Sequence, residues 1–77
     1  MTNQTAAQFK FVICLRNENC EDLLPRRIYQ TLPDEDAAKE GYIRVIDESG
    51  EDYLYPQDYF IWIELPQEVE QVLLVTV

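Results

Sequence analysis

Tyr42-Ile43-Arg44-Val45-Ile46-Asp47-Glu48-Ser49-Gly50-Glu51-Asp52-Tyr53-Leu54-Tyr55-Pro56 is the stretch that decides the fold. Two short alternating runs flank an acidic turn. Alternation with a period of two marks a strand that turns one face to a core. The first run, Tyr42 to Asp47, sets Ile43 and Val45 on one face and Tyr42, Arg44 and Ile46 on the other. Glu48-Ser49-Gly50-Glu51 reads as a tight turn in which Gly50 supplies a positive φ at little steric cost. Asp52 to Tyr55 returns as the partner strand, with Leu54 opposite in phase to Tyr53 and Tyr55. Pro56 ends it, because proline cannot donate to a ladder.

Beyond the hairpin, Tyr55-Pro56-Gln57-Asp58-Tyr59 reads as a single tight helical turn and Phe60 to Leu65 as a further strand. Pro66 and Glu68 then open a C-terminal helix, about residues 66–74, that places Val69, Val72 and Leu73 at helical spacing; Val72 to Val77 would also suit a strand. Before the hairpin, Leu32-Pro33-Asp34-Glu35-Asp36-Ala37-Ala38-Lys39-Glu40-Gly41 predicts a short helical insertion, about residues 34–40. Pro33 suits its first position, the acids complement the positive end of its dipole, and Gly41 suits its stop.

A strand from about Arg26 to Leu32 precedes the insertion, behind Leu23-Leu24-Pro25. The first strand starts near Phe9, where Phe9, Phe11, Ile13 and Leu15 alternate with Lys10, Val12, Cys14 and Arg16, and Asn17-Glu18-Asn19 turns out of it. Met1 to Gln8 carries no periodicity and reads as a frayed tail before a single domain, residues 9–77. Five short strands within so few residues predict a mainly β fold, a small closed or partly closed five-stranded barrel that protects its edges and leaves no cavity for chemistry.

The composition fits a folded domain and narrows its function. The chain has 77 residues, of which 47% are hydrophobic and 12% aromatic. One core is the most that such a chain buries. Fifteen acidic residues face six basic ones, giving a net charge of -9. Direct nucleic-acid binding needs Lys and Arg to displace counterions and has no basic stripe to draw on here, so the field favours basic partners. General acid-base work near neutral pH most often uses His, and the chain has none. Ser49 has no base beside it in sequence. The turn Asp47 to Asp52 fails as a calcium loop, because its glycine falls fourth rather than sixth. With two cysteines, Cys14 and Cys20, and no His, neither a zinc site nor a disulfide framework is expected, although a tight turn over 16–19 would bring the two sulfurs together. No catalytic residue, metal or cofactor is assigned. Neither an apolar leader nor a stretch long enough to span a membrane is read, which points to the cytoplasm.

The aromatic group is the candidate site: Tyr53, Tyr55, Pro56, Tyr59 and Trp62, rimmed by Asp47, Glu48, Glu51, Asp52 and Asp58. If Leu54, Ile61 and Ile63 fill the core, the tyrosines and Trp62 are left outside. Tyr and Trp carry much of the binding energy in protein interfaces, so such a patch suits a protein surface or segment with basic residues. At the C-terminus, Leu74, Val75 and Val77 are apolar, and a homodimer would hide them.

The segment Asp52-Tyr53-Leu54-Tyr55-Pro56-Gln57-Asp58-Tyr59-Phe60 resembles the closing part of a Src-homology-3 domain, in the order strand, Pro, tight turn, Tyr, strand. That resemblance implies the small barrel. In that family the peptide groove combines aromatics on the first loop, a Trp on a middle strand, and the Pro and Tyr of the turn. Pro56 and Tyr59 match the last two; Phe11-Val12-Ile13-Cys14 carries no tyrosine pair, and Trp62 follows the turn. The stretch from Arg27 to Pro66 also resembles a set of short bacterial proteins without an assigned activity.

Two functions follow as expectations. One is a non-catalytic protein-protein interaction module. The other is an acidic, antitoxin-like or nucleic-acid-mimic regulator that occupies a basic site on its partner.

Overall fold

The computed structural model describes residues 11–74. The expectations for Met1 to Gln8, Phe9, Lys10, Val75 and Val77 lie outside these residues. Within them, β1 (Phe11–Cys14), β2 (Ile28–Leu32), β3 (Tyr42–Ile46), β4 (Asp52–Pro56) and β5 (Phe60–Ile63) form an antiparallel sheet in the order β4-β3-β2-β1-β5. Two short helices, α1 (Glu35–Lys39) and α2 (Gln67–Leu73), and a 3-10 turn, Gln57–Tyr59, complete the mainly β architecture.

The deciding hairpin forms as its pattern requires. Tyr42 lies opposite Pro56 and Ile46 opposite Asp52. Gly50 takes a φ of 86°, and its N–H donates to the carbonyl of Asp47 at 2.9 Å. β2 serves two ladders in succession. Its residues Ile28, Tyr29 and Gln30 pair with β1, whereas Thr31 and Leu32 pair with β3, so the sheet divides along this strand. The hydrogen-bonded order ends at β4 and β5, and no ladder closes the sheet between them among the described residues.

Register decides which side chains reach the core. Val12 faces Tyr29 and Trp62 across its two ladders, and Cys14 faces Phe60. Directly opposed residues in an antiparallel pair share a face. Val12, Cys14, Tyr29 and Phe60 therefore lie on one side and cluster there with Leu23, Ile43 and Val45. Three expected phases are overturned. On β1 the core cluster takes Val12 and Cys14 rather than Ile13 and Leu15, and Leu15 is exposed; Phe11 is buried from the opposite face. On β5 Ile61 pairs with Ile13 away from the cluster and is 52% exposed. On β4 Tyr53 and Tyr55 oppose the buried Val45 and Ile43, so Leu54 faces outward. Apolar residues occupy both phases of these strands, and only pairing with a neighbour selects one.

The insertion folds as a helix one residue shorter at each end than the expected 34–40. Pro33, expected at the first helical position, stays outside α1, and Asp34 caps it: its backbone is extended and its Oδ1 accepts the Ala37 N–H at 2.9 Å. A carboxylate oxygen satisfies a donor that the first helical turn leaves without an internal partner. Gly41, with φ of 83°, releases the chain into β3. At the other end α2 lacks a side-chain cap, and Val72 is 82% exposed rather than packed over the sheet. Leu73 instead borders a small hollow with Phe11 and Ile28.

The long connection from β1 to β2 is held by its own contacts. Leu23 is fully buried in the core, and Cys20 packs against that cluster. Asn17 Nδ2 donates to the Leu23 carbonyl at 2.9 Å, and the Glu48 N–H donates to the Asp22 carbonyl at 2.9 Å. The latter ties the connection to the β3–β4 turn.

Candidate interaction surface

The acids of the β3–β4 turn are engaged within the fold. Asp47 is only 5% exposed. Its Oδ1 accepts the Ser49 N–H at 3.0 Å and the Ser49 hydroxyl at 2.5 Å, and its Oδ2 accepts the Tyr55 hydroxyl at 2.6 Å. A buried carboxylate requires such donors, since an unsatisfied one carries a large desolvation penalty. Glu48 accepts the Tyr29 hydroxyl at 2.6 Å and pairs with Arg27 at 3.3 Å. Tyr29 in turn accepts the Leu24 N–H at 2.9 Å. Burial first, and the adjoining carboxylate second, push the phenols of Tyr29 and Tyr55 well above the ordinary tyrosine value. Glu51 accepts the Tyr53 hydroxyl at 2.9 Å, and Asp52 binds Arg44 at 2.8 Å. Asp58 stands exposed on the 3-10 turn.

The aromatic candidates separate into three settings. Tyr55 and Tyr59 are half-buried and pack against the core, each ring meeting Phe60, at centroid distances of 6.2 and 6.5 Å. The Arg16 guanidinium lies 5.6 Å from the centre of the Tyr59 ring, and the Tyr59 hydroxyl donates to the Glu18 carbonyl at 3.4 Å. Cation and ring attract at this range. Tyr53 is exposed beside the turn, and half-buried Pro56 sits opposite Tyr42 at the far end of the hairpin.

Trp62 occupies the third setting. It is on the same face of the sheet as Val12 yet is 46% exposed. It borders a cleft of about 750 Å³ that the expectation of a sealed fold did not include. Leu32, Pro33, Ala38, Tyr42, Ile43 and Leu74 supply its apolar lining. The volume falls in the roughly 300–1,000 Å³ range of ligand-binding clefts, and the lining has their mix of apolar surface with a few polar groups. Tyr42 and Ala38 were not singled out by sequence. The alternation placed Tyr42 on β3, but nothing in the linear order brings α1 and β5 to the same cleft.

Arg44 is the basic group of this cleft, and two carboxylates hold it. Asp34 approaches at 2.8 Å and Asp52 at 2.8 Å. The backbone N–H of Ala37 and then the guanidinium of Arg44 hold the Asp34 carboxyl below the usual carboxylate range. Glu35, which also lines the cleft, enters no ion pair among the described residues.

Both cysteines are free thiols. Cys14 Sγ donates to the Arg16 carbonyl at 3.2 Å and Cys20 Sγ to the Glu18 carbonyl at 3.3 Å. Burial raises the pKa of each. Among the described residues no group of three or more His, Cys, Asp or Glu is gathered to hold a metal ion, and no helix is long and apolar enough to cross a membrane. No protein-family model, curated protein or solved structure matches the chain.

Proposed function

We propose that this protein is a non-catalytic interaction module, a Src-homology-3-like small barrel that docks on a partner protein in the cytoplasm. One observation carries the reading: Tyr42, Tyr53 and Trp62 are each more than 40% exposed on well-paired strands. Large aromatics presented from a rigid sheet lose little conformational freedom on binding, which is why such residues dominate interface energetics. The 3-10 turn between β4 and β5, with the Tyr59 hydroxyl bonded to the Glu18 carbonyl of the first connection, supports the barrel reading. That connection, residues 15–27, contains no aromatic residue, so the surface offered differs from the groove that binds Pro-rich peptides. Free thiols suit a reducing compartment.

Because Tyr55 is a packing residue, the informative variant combines Tyr53→Ser with Trp62→Ser. A native pull-down with mass spectrometry compares it with wild type, and circular dichroism checks that both are folded. Loss of specific partners from the variant is expected. Identical partner sets would overturn the reading.

A second reading, the acidic regulator that occupies a basic site, draws on the acids that the fold does not neutralise. The four ion pairs among the described residues use Glu18, Glu48, Asp34 and Asp52, leaving Glu35 and Asp36 on α1 and Glu40 at its end, with Lys39 the one basic residue between them. Binding of this kind weakens steeply with salt, whereas binding led by aromatic burial does not.

A further inference from the structure

The Trp62 cleft combines three properties. Its walls are largely apolar, its one basic residue is already committed to Asp34 and Asp52, and its margin carries Glu35 on the exposed face of α1. Arg44 is held by three hydrogen bonds or ion pairs no longer than 2.9 Å, so its charge is spent within the wall. The charge left facing a visitor is negative: Arg44 is outnumbered by Asp34 and Asp52, Glu35 adds to the excess, and the exposed Lys39 of α1 is outnumbered by its chain neighbours Asp36 and Glu40. An anionic ligand would meet this field at a disadvantage. A cationic one would be drawn to it.

We infer that the cleft between α1, β3 and Trp62 receives a basic peptide segment of a partner protein, with one apolar side chain against Trp62 and Tyr42 and a flanking Lys or Arg beside Glu35. The inference rests on the interaction reading and gives it a location and a partner chemistry. The apolar wall accounts for the side chain. A cleft of about 750 Å³ is several times larger than one such side chain, so the adjoining peptide backbone fits as well. Polar groups along the same walls, including Gln57, whose Nε2 reaches the Tyr42 carbonyl at 3.4 Å, place hydrogen-bonding capacity beside that backbone. The committed Arg44 explains the sign of the selected charge.

The test uses the isotope-labelled full chain and a synthetic peptide, Gly-Ser-Arg-Leu-Arg-Ser-Gly, titrated by NMR. Fluorescence of Trp62, the only tryptophan, gives a second readout. Shifts are expected to concentrate on Ala38, Tyr42, Leu74 and the Trp62 indole. Replacing the peptide's leucine by glycine should weaken binding roughly tenfold, the order expected for losing one buried aliphatic side chain. Replacing both of its arginines by glutamate should abolish binding. Ala38 is exposed, so Ala38→Trp can occupy the cleft without disturbing the core and should remove binding; Glu35→Lys should weaken it at low salt and much less at high salt.

Shifts centred elsewhere, no response at millimolar peptide, or unchanged affinity for Ala38→Trp would overturn the inference. So would sedimentation showing a dimer that Ala38→Trp dissociates and the peptide does not, which would make a second copy the occupant. If the peptide fails but Tyr53→Ser with Trp62→Ser still strips partners in the pull-down, the interaction reading stands and this location falls. If no partner depends on those aromatics, the interaction reading itself falls.

Discussion

The Tyr29 hydroxyl donates to Glu48 Oε2 at 2.6 Å, joining β2 to the β3–β4 turn. The Tyr29 hydroxyl oxygen accepts the Leu24 N–H, so one phenol fastens the end of the long first connection and the hairpin together. Tyr29→Phe keeps the ring in the core and removes both bonds. Loss of about 1–3 kcal/mol is expected in urea unfolding, since a backbone donor is left without its partner. Stability within a few tenths of wild type would show that water replaces the hydroxyl.

Asp47 organises the turn from inside through Ser49 and Tyr55. Asp47→Ala should destabilise by about 2–3 kcal/mol. A double-mutant cycle of Tyr55→Phe with Asp47→Ala should show a coupling of about 1 kcal/mol or more, because the two groups share one short bond. Additive effects would mean that the bond contributes little.

Asp34 caps α1 and holds Arg44, and both contacts favour its charged form. Its folded pKa lies below the ordinary 3.8, so between the two values the unfolded chain binds the extra proton. Stability from this carboxylate is complete above the ordinary value and is lost as pH falls through the lowered one. Asp34→Asn keeps a capping oxygen but removes the titration. Its unfolding midpoint in urea should therefore lie below that of wild type at pH 7 and converge on it in strong acid. A constant gap across the acid range would contradict this assignment.

Arg26 has φ of 69° directly after Pro25, and the Arg27 N–H reaches back to the Leu24 carbonyl at 3.3 Å. This conformation belongs to the third residue of a turn that normally calls for glycine. Its side chain enters none of the ion pairs among the described residues. Arg26→Gly is expected to stabilise by about 0.5–1 kcal/mol, the relief of backbone strain offset by the greater freedom of glycine when unfolded. Thermal denaturation measures it, and a lower melting temperature would reverse the expectation.

Burial raises the thiol pKa of both Cys14 and Cys20, and the reactive species is the thiolate. Cys14 is fully buried in the core cluster, while Cys20 is partly accessible. Iodoacetamide at neutral pH should label Cys20 slowly and Cys14 only on unfolding, as read by mass spectrometry. Rapid labelling of Cys14 in the native protein would show that the first connection opens.

The hairpin and the α1 insertion were legible because short-range physics specifies them. Gly50 and Gly41 provide positive φ, Pro56 stops a strand, and the acids from Asp34 onward mark a helix start. Strand phase was less legible. Ile61 and Trp62 are both large and apolar, as are Leu54 and Tyr55, and a period of two is equally satisfied by either choice. Val12 opposite Trp62 and Ile43 opposite Tyr55 settled the choice. The aromatic candidates were likewise visible as residue types but not as a surface. Tyr55 and Tyr59 went to the core, and Trp62 joined Tyr42 and Ala38 at a cleft.

The linear order by itself determined where the chain turns and that its elements are mainly short strands, since both depend on neighbours within a few positions, and composition alone set its strongly negative charge. Tertiary pairing alone decided which face each strand buries, that Asp47 is enclosed while Trp62 is open, and that Arg44 is neutralised by Asp34 and Asp52. Those outcomes depend on groups far apart along the chain whose proximity exists only after β2 has joined its two ladders.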